Sequence, residues 1–243
     1  MKKFIALGVI VFLLSIIVYV PASIATKLLP NNITAKQYFG NIWQGSATEL
    51  RINNIELGTV KWQFKPSCLF TMSVCADIQQ ENDELNSQFT AKMRNNLELL
   101  NVFAQGDAMI LNALLQSYGI TSTGEFTMNL DKVSFKHNFV NEIEGNINFT
   151  PLALNGVIRV FMGNVNSVIQ TKDNHTVIAI ENSNGHLDLT GDIKLFEDLT
   201  YHADVKLKQN ERSTDFVING MKYVGTTQSD GSVRIDQKGR LTI

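Results

Sequence analysis

Two cysteines, four histidines and a few closely spaced carboxylates are the side chains of this sequence with the means to do chemistry, and their spacing narrows what that chemistry could be. Cys68 and Cys75 enclose six residues in KPSCLFTMSVCADIQ. The spacing is not C-x-x-C, so it gives no support to dithiol redox chemistry. Fully extended, the two α-carbons would stand about 23 Å apart at about 3.3 Å per residue, far beyond the roughly 7 Å that a disulfide tolerates. A bond therefore requires a turn, which the neighbourhood of Pro66 is placed to supply. A disulfide, two buried free thiols and a catalytic or metal-binding pair all remain open readings. His137, His175, His186 and His202 each stand beside polar or turn residues, and none has a second histidine at ligand spacing. Asp188 with Asp192 and Glu142 with Glu144 occupy alternate positions of strand-like stretches, which puts each pair on a solvent face where charges belong anyway. The sequence contains no G-x-S-x-G elbow, phosphate loop, HExxH or GxGxxG. No catalytic, cofactor-binding or metal-ligating residue is assigned, no cofactor is implied, and the expectation is a protein that is not an enzyme. The sequons at Asn32, Asn148 and Asn174 suit an Asn- and Thr-rich composition and are assigned no role.

The elements that carry these residues are legible from composition and periodicity. The chain has 243 residues, 44% of them hydrophobic, enough to fill a core. Charged residues make up 18%, and the formal net charge of -2 leaves no basic excess to neutralise a phosphate backbone, so nucleic acid is not an expected partner. Two cysteines exclude a disulfide-dense scaffold and a four-thiolate zinc site. Sixteen glycines against four prolines fit a turn-rich β protein better than a helical bundle.

The first 26 residues set the compartment. Lys2 and Lys3 precede an uncharged run from Phe4 to Thr26, closed by Lys27. Phe4 to Val20 alone makes a helix of about 25 Å, and continuing to Ala25 covers a bilayer core of about 30 Å. Lysines on the near side keep the N-terminus cytoplasmic and export the remainder. Ser23 and Ala25 could serve a signal peptidase, but the apolar run outlasts the roughly 7 to 15 residues of a cleavable core, which favours an uncleaved anchor. The expected organisation is a cytoplasmic stub and transmembrane anchor over 1–27 and one periplasmic β-rich domain over 28–243, contacting lipid through residues 4–26. Without Lys2, Lys3 and Lys27, the domain over 28–243 holds 18 basic against 23 acidic residues.

Past the anchor the period becomes two. Val60, Trp62 and Phe64 alternate with Lys61, Gln63 and Lys65; Phe126, Met128 and Leu130 with Glu125, Thr127 and Asn129; Tyr201, Ala203, Val205 and Leu207 with His202, Asp204, Lys206 and Lys208. Asn184-Gly185, Gly191-Asp192 and Asp230-Gly231 read as turns between strands, and Gly231 to Leu241 as a glycine-rich hairpin. Ala108 to Tyr118 instead has helical spacing, with Asp107 as N-cap and Gly119 as stop; an irregular buried strand is the alternative. Gly124 to Phe135 and Gly185 to Phe196 share a pattern, either a duplication or two hairpins of equal period. The fold class is mainly β: an N-terminal transmembrane helix, then an antiparallel, turn-rich β-sheet domain with one short helix.

The most informative stretch after the anchor is Gly40 to Pro66, GNIWQGSATELRINNIELGTVKWQFKP. Gly40, Gly45 and Gly58 permit tight turns, Trp43 and Trp62 supply large apolar anchors inside the fold, and Pro66 closes the second strand. A basic stub, an anchor ending in Pro21-Ala22-Ser23 with Leu28-Leu29-Pro30 behind it, Gly-x-x-Trp-Gln-Gly-Ser-Ala over Gly40 to Ala47 and Leu-Gly-x-Val-x-Trp over Leu57 to Trp62 resemble the type II secretion system protein N family, also called general secretion pathway protein N. The specific match covers about the first quarter of the chain, and Cys68 and Cys75 lie outside the family pattern. The resemblance implies a bitopic inner-membrane protein of a Gram-negative cell, an accessory part of the machine that moves folded exoproteins across the outer membrane. It also implies partners among the inner-membrane L and M components and the outer-membrane secretin. A glycine-punctuated strand pattern behind an anchor also resembles AsmA-like envelope proteins, whose β-groove is linked to lipid handling; that alternative is a fold-level analogy.

Overall fold

The computed structural model describes residues 4, 12, 15, 18–25, 32–53, 55–115, 119–136, 139–156, 159–173 and 175–240. The anchor expected over Phe4 to Thr26 and the boundary expected at 27/28 fall mostly outside these residues. Among those described, no helix is long and apolar enough to cross a membrane. Contacts divide the chain into two compact units, Met1–Arg94 and Asn95–Ile243.

Unit 1 is an antiparallel sheet of β1 (Ile33–Thr34), β2 (Gln37–Gly40), β3 (Gln44–Ile52), β4 (Ile55–Phe64), β5 (Val74–Glu81) and β6 (Leu85–Met93). The order is β1-β3-β4-β5-β6, with β2 also lying along β3. The alternation of Val60, Trp62 and Phe64 becomes a shared face: Val60 sits opposite Ala47 and Gln80, and Trp62 opposite Gly45 and Ile78. Gln80 is buried there, yet its amide donates to the Leu57 and Leu85 carbonyls and accepts from Ser87 Oγ, so burial leaves it satisfied. A helical turn α1 (Ala22–Ala25) packs against β2.

Unit 2 consists of β7 (Leu97–Asp107), β8 (Thr121–Thr123), β9 (Glu125–Lys136), β10 (Phe139–Asn155), β11 (Arg159–Lys172), β12 (His175–Ser183), β13 (Asp188–Phe196), β14 (Thr200–Lys208), β15 (Thr226–Thr227) and β16 (Val233–Arg240). The order is β7-β9-β10-β11-β12-β13-β14-β16-β15, with β8 continuing beside β10 where β9 ends. One register row runs Ala104, Met128, Ile147, Ser167, Ile180, Gly191, Val205, Ile235, and the adjacent row Gln105, Thr127, Asn148, Asn166, Glu181, Thr190, Lys206, Arg234. Because the pleat has period two, the first row faces one side and the second the other, and a slip of one residue would exchange them. Phe126, Leu130, Val133, Phe149, Val165 and Ile169 are the buried centre of the apolar face.

The helix expected over Ala108 to Tyr118 forms as a 3₁₀ turn, Ala108–Leu111, leading into α2 (Asn112–Leu115); residues 116–118 are outside the described set. Asp107 caps it by accepting from Met109 N at 2.8 Å, and Gly119 follows at φ +67°. A second short helix, α3 (Asp215–Met221), was not expected. Thr214 is its N-cap, and it buries Val217 and Met221, four residues apart on one face. Gly191-Asp192 is not a turn: both lie within β13, where a β-carbon on Gly191 would meet Asp204 O at 2.4 Å, so the glycine serves close strand approach. Gly231 to Arg240 is likewise no hairpin but a bend followed by the single strand β16. Gly124 to Phe135 and Gly185 to Phe196 each run from a bend into a single strand, β9 and β13, so neither is a hairpin.

Candidate functional site

The sequence motif of unit 1 closes on itself at one end of the sheet. Gly40 takes φ +82°, allowing the chain to turn from β2 into β3. Asn41 Oδ1 accepts from the backbone N–H groups of Trp43 and Gln44 at 2.9 and 2.8 Å, a side-chain-closed turn. Trp62 Nε1 donates to Asn41 O at 3.3 Å, and the rings of Trp43 and Phe64 meet at 4.9 Å and 59°. Gly40, Trp43, Gly45 and Trp62 are thus brought together, and Pro66 lies two residues beyond Phe64, opening the 3₁₀ turn Pro66–Thr71. Gly58 is apart from them, at φ +74° beside the end of β5, where a β-carbon would meet Glu81 O at 2.4 Å. The two tryptophans are half-buried, not fully inside the fold as the sequence suggested. Asn41 and Phe64, which complete this cluster, carried no signal beyond the Asn-before-turn preference and the strand alternation.

Cys68 and Cys75 are bonded, their α-carbons 5.9 Å apart across the 3₁₀ turn. Among the described residues no other groups with reactive potential converge on a shared site. His175 stacks on Phe196 at 5.6 Å, His186 lies 5.6 Å from the Phe161 ring, and His202 Nε2 pairs with Asp236 Oδ1 at 3.0 Å. His137 is outside the described residues. Asp188 accepts from Asn210 Nδ2 at 2.7 Å, Glu142 pairs with Lys132, and Asp192 stands 3.9 Å from Lys194, each a surface contact. Among the described residues no group of three His, Cys, Asp or Glu side chains is arranged to hold a metal ion.

What unit 2 offers instead is main chain. β16 pairs with β14 over its whole length, from Val233 opposite Leu207 to Arg240 opposite Thr200. On its other side β15 covers Val233 and Arg234 alone, so among the described residues Ile235 to Arg240 present an unpaired strand edge. Exposed N–H and C=O groups in a row are a template for a further strand. Ion pairs to β14 and a turn aspartate fix the strand just before its open stretch. Arg234 donates to both carboxylate oxygens of Asp204 at 2.7 and 2.6 Å, and those hydrogen bonds keep Asp204 below the usual carboxylate range. Lys206 and Ser232 hydrogen bonds to Asp230 lower it further. On the open stretch itself Asp236, Lys238 and Arg240 are exposed, and charged side chains along an edge discourage it from pairing with a copy of itself and leave room for a partner of matched sequence.

Comparisons with known proteins agree with one another. The family described as "Type II secretion system (T2SS), protein N" matches residues 31–236. The type II secretion system protein N of Vibrio cholerae serotype O1 is similar at 20% identity over 253 aligned positions, covering 99% of this chain and all of that protein. No solved structure matches. With the family profile spanning the motif at Gly40 to Pro66, the strands β1 to β15 and the first half of β16, the chain belongs to the type II secretion system protein N family.

Proposed function

We propose that this chain is an accessory bitopic inner-membrane component of the type II secretion machinery, and that its exported part works as a docking module for other components. Its place in the secretion system follows from the family; docking is inferred from the open edge of β16 at Ile235 to Arg240. A strand-adding surface binds through main-chain hydrogen bonds, and neighbouring side chains select the partner. Such a surface needs no titratable centre, in keeping with the scattered placement of the histidines and carboxylates. The anchor reading rests on the uncharged run from Phe4 to Thr26, which would hold the module at the membrane with its N-terminus cytoplasmic and its bulk in the periplasm. The partners inferred are the L and M proteins of the inner membrane and the secretin of the outer membrane.

A second reading has its own supporting observation. The row from Ala104 to Ile235 gives unit 2 a continuous largely apolar face, on which Ile180, Val205 and Ile235 are only half-buried. Such a face suits acyl chains, as in an AsmA-like lipid-handling groove. Isolation of the full-length chain from detergent-solubilised envelopes distinguishes the two. Recovery of L, M and secretin components with it supports docking; recovery of co-purifying lipid with no secretion component overturns docking and supports the groove.

A further inference from the structure

Unit 1 gathers exposed apolar side chains at the same end at which the N-terminal apolar stretch joins it. Ile42 N–H donates to Val20 O at 3.1 Å, Pro21 bridges to Asn41, and Ala22 is 1% exposed, so the stretch ends seated on the turn between β2 and β3. The register places Gln44 opposite Gln63 and Gln63 opposite Asp77. The connection from β4 to β5 therefore leaves the sheet at that same end, two interstrand spacings or about 10 Å away.

That connection is the cystine-closed turn, and it buries none of the residues from Pro66 to Thr71. Phe70 is 94% exposed, Met72 83% and Leu69 55%. Several of its polar groups are paired within the turn, although the Ser67 and Thr71 side chains are exposed. Cys68 N–H donates to Lys65 O, Met72 N–H to Leu69 O and Ser73 N–H to Cys68 O, while Thr71 Oγ1 also donates to Cys68 O. Met72 closes the turn at φ +53°. A disulfide-closed turn that pairs several of its own main-chain groups and exposes apolar side chains suits the surface of a bilayer, where unpaired backbone groups are costly. Beyond Met93, which pairs with Val74 at the foot of the turn, Arg94 is exposed and places a cation where anionic headgroups would lie.

We propose that the Cys68–Cys75 turn is a second membrane contact, inserting Leu69, Phe70 and Met72 into the headgroup and acyl boundary of the bilayer entered by the N-terminal stretch. The inference rests on the anchor reading above. A bilayer is favoured as occupant because it is the one partner whose position at this end is set by the chain's own sequence. The disulfide then has a reason: it prevents the turn from opening when its side chains leave water.

The test uses the full-length chain in vesicles of phosphatidylethanolamine and phosphatidylglycerol, with a fluorescent amino acid replacing either Phe70 or Asp83, the latter exposed in the turn from β5 to β6 at the other end of unit 1. Lipids brominated along their chains should quench position 70 by about twofold or more and spare position 83, and aqueous iodide should do the reverse, as for a segment buried roughly 5 to 10 Å into the interface. Flotation with the vesicles reports the anchor separately. Equal iodide quenching at both positions in a chain that floats overturns the proposal and leaves the anchor standing. A chain that does not float overturns both. Resistance of position 70 to both quenchers means that protein covers the turn, and overturns the assignment to lipid.

Discussion

A β-carbon on Gly45 would lie 2.6 Å from Cζ2 of Trp62 and 2.5 Å from the carbonyl oxygen of Phe39, so the indole of Trp62 occupies the space that a side chain at Gly45 would need. This relation explains why glycine and tryptophan occur together in the motif. The aromatic packs directly on the backbone of β3 where β2 and β4 flank it. One of the obstructing atoms is main chain, so repacking the indole alone does not relieve the clash. Gly45→Ala should destabilise the fold by about 1 to 3 kcal/mol, read as a lower urea midpoint. Trp62→Ala should cost about 2 kcal/mol, less than a fully buried tryptophan because the ring is half-buried. In the Trp62→Ala background the cost of Gly45→Ala should shrink; equal costs in both backgrounds would contradict the packing relation.

The Cys68–Cys75 bond closes a short loop, with a sequence separation of seven. Loop entropy of that size contributes about 2.5 kcal/mol, in the lower part of the usual range for disulfides. Reduction should lower stability by about that amount, and a thiol-reactive mass tag should label the protein only after reductant. Labelling of both cysteines without reductant would contradict the bond.

Acid should loosen the C-terminal strands of unit 2 first. The Arg234 hydrogen bonds hold Asp204 low, and those of Lys206 and Ser232 hold Asp230 low. A carboxyl depressed in the folded state stabilises it above the unfolded value, near 3.9 for aspartate, and loses that contribution as pH falls through the folded value. Amide exchange protection in β14 and β16, corrected for intrinsic rates, should hold steady from pH 7 to about 5 and decline below about 4. Asp204→Asn should reduce the acid-dependent part of that decline. Protection that rises on acidification would contradict the assignment.

The uncharged run from Phe4 to Val20 should be retained in the mature protein, which should fractionate with the inner membrane and resist carbonate extraction. A mature N-terminus at Thr26, found by intact-mass measurement, would contradict it.

Local pattern carried most of the strands. Tyr201 to Leu207 alternates cleanly and is β14, because one face of that strand meets the sheet's apolar side and the other meets water. Asp107 and Gly119 marked the ends of the helical connection for the same local reasons that make them cap and stop. Gly191-Asp192 misled because a turn dipeptide and a close strand approach demand the same absent side chain; Asp204, on the neighbouring strand, decides between them. The helix Asp215–Met221 was detectable in outline, through Thr214 and the apolar pair Val217 and Met221, but seven residues are too few for periodicity to stand out. The open edge of β16 was illegible, since it depends on where β14 and β15 pair, and those pairings are set by tertiary structure.

Site-specific photo-crosslinking in cells from Gln237, exposed on the open edge of β16, tests the docking account most directly, with Glu181 on the exposed polar face of β12 as reference. The account predicts that Gln237 captures a secretion component, that Glu181 does not, and that the adduct disappears when that component is deleted. Capture of the same proteins from both positions, or no protein adduct from Gln237 in cells actively secreting exoproteins, would contradict it.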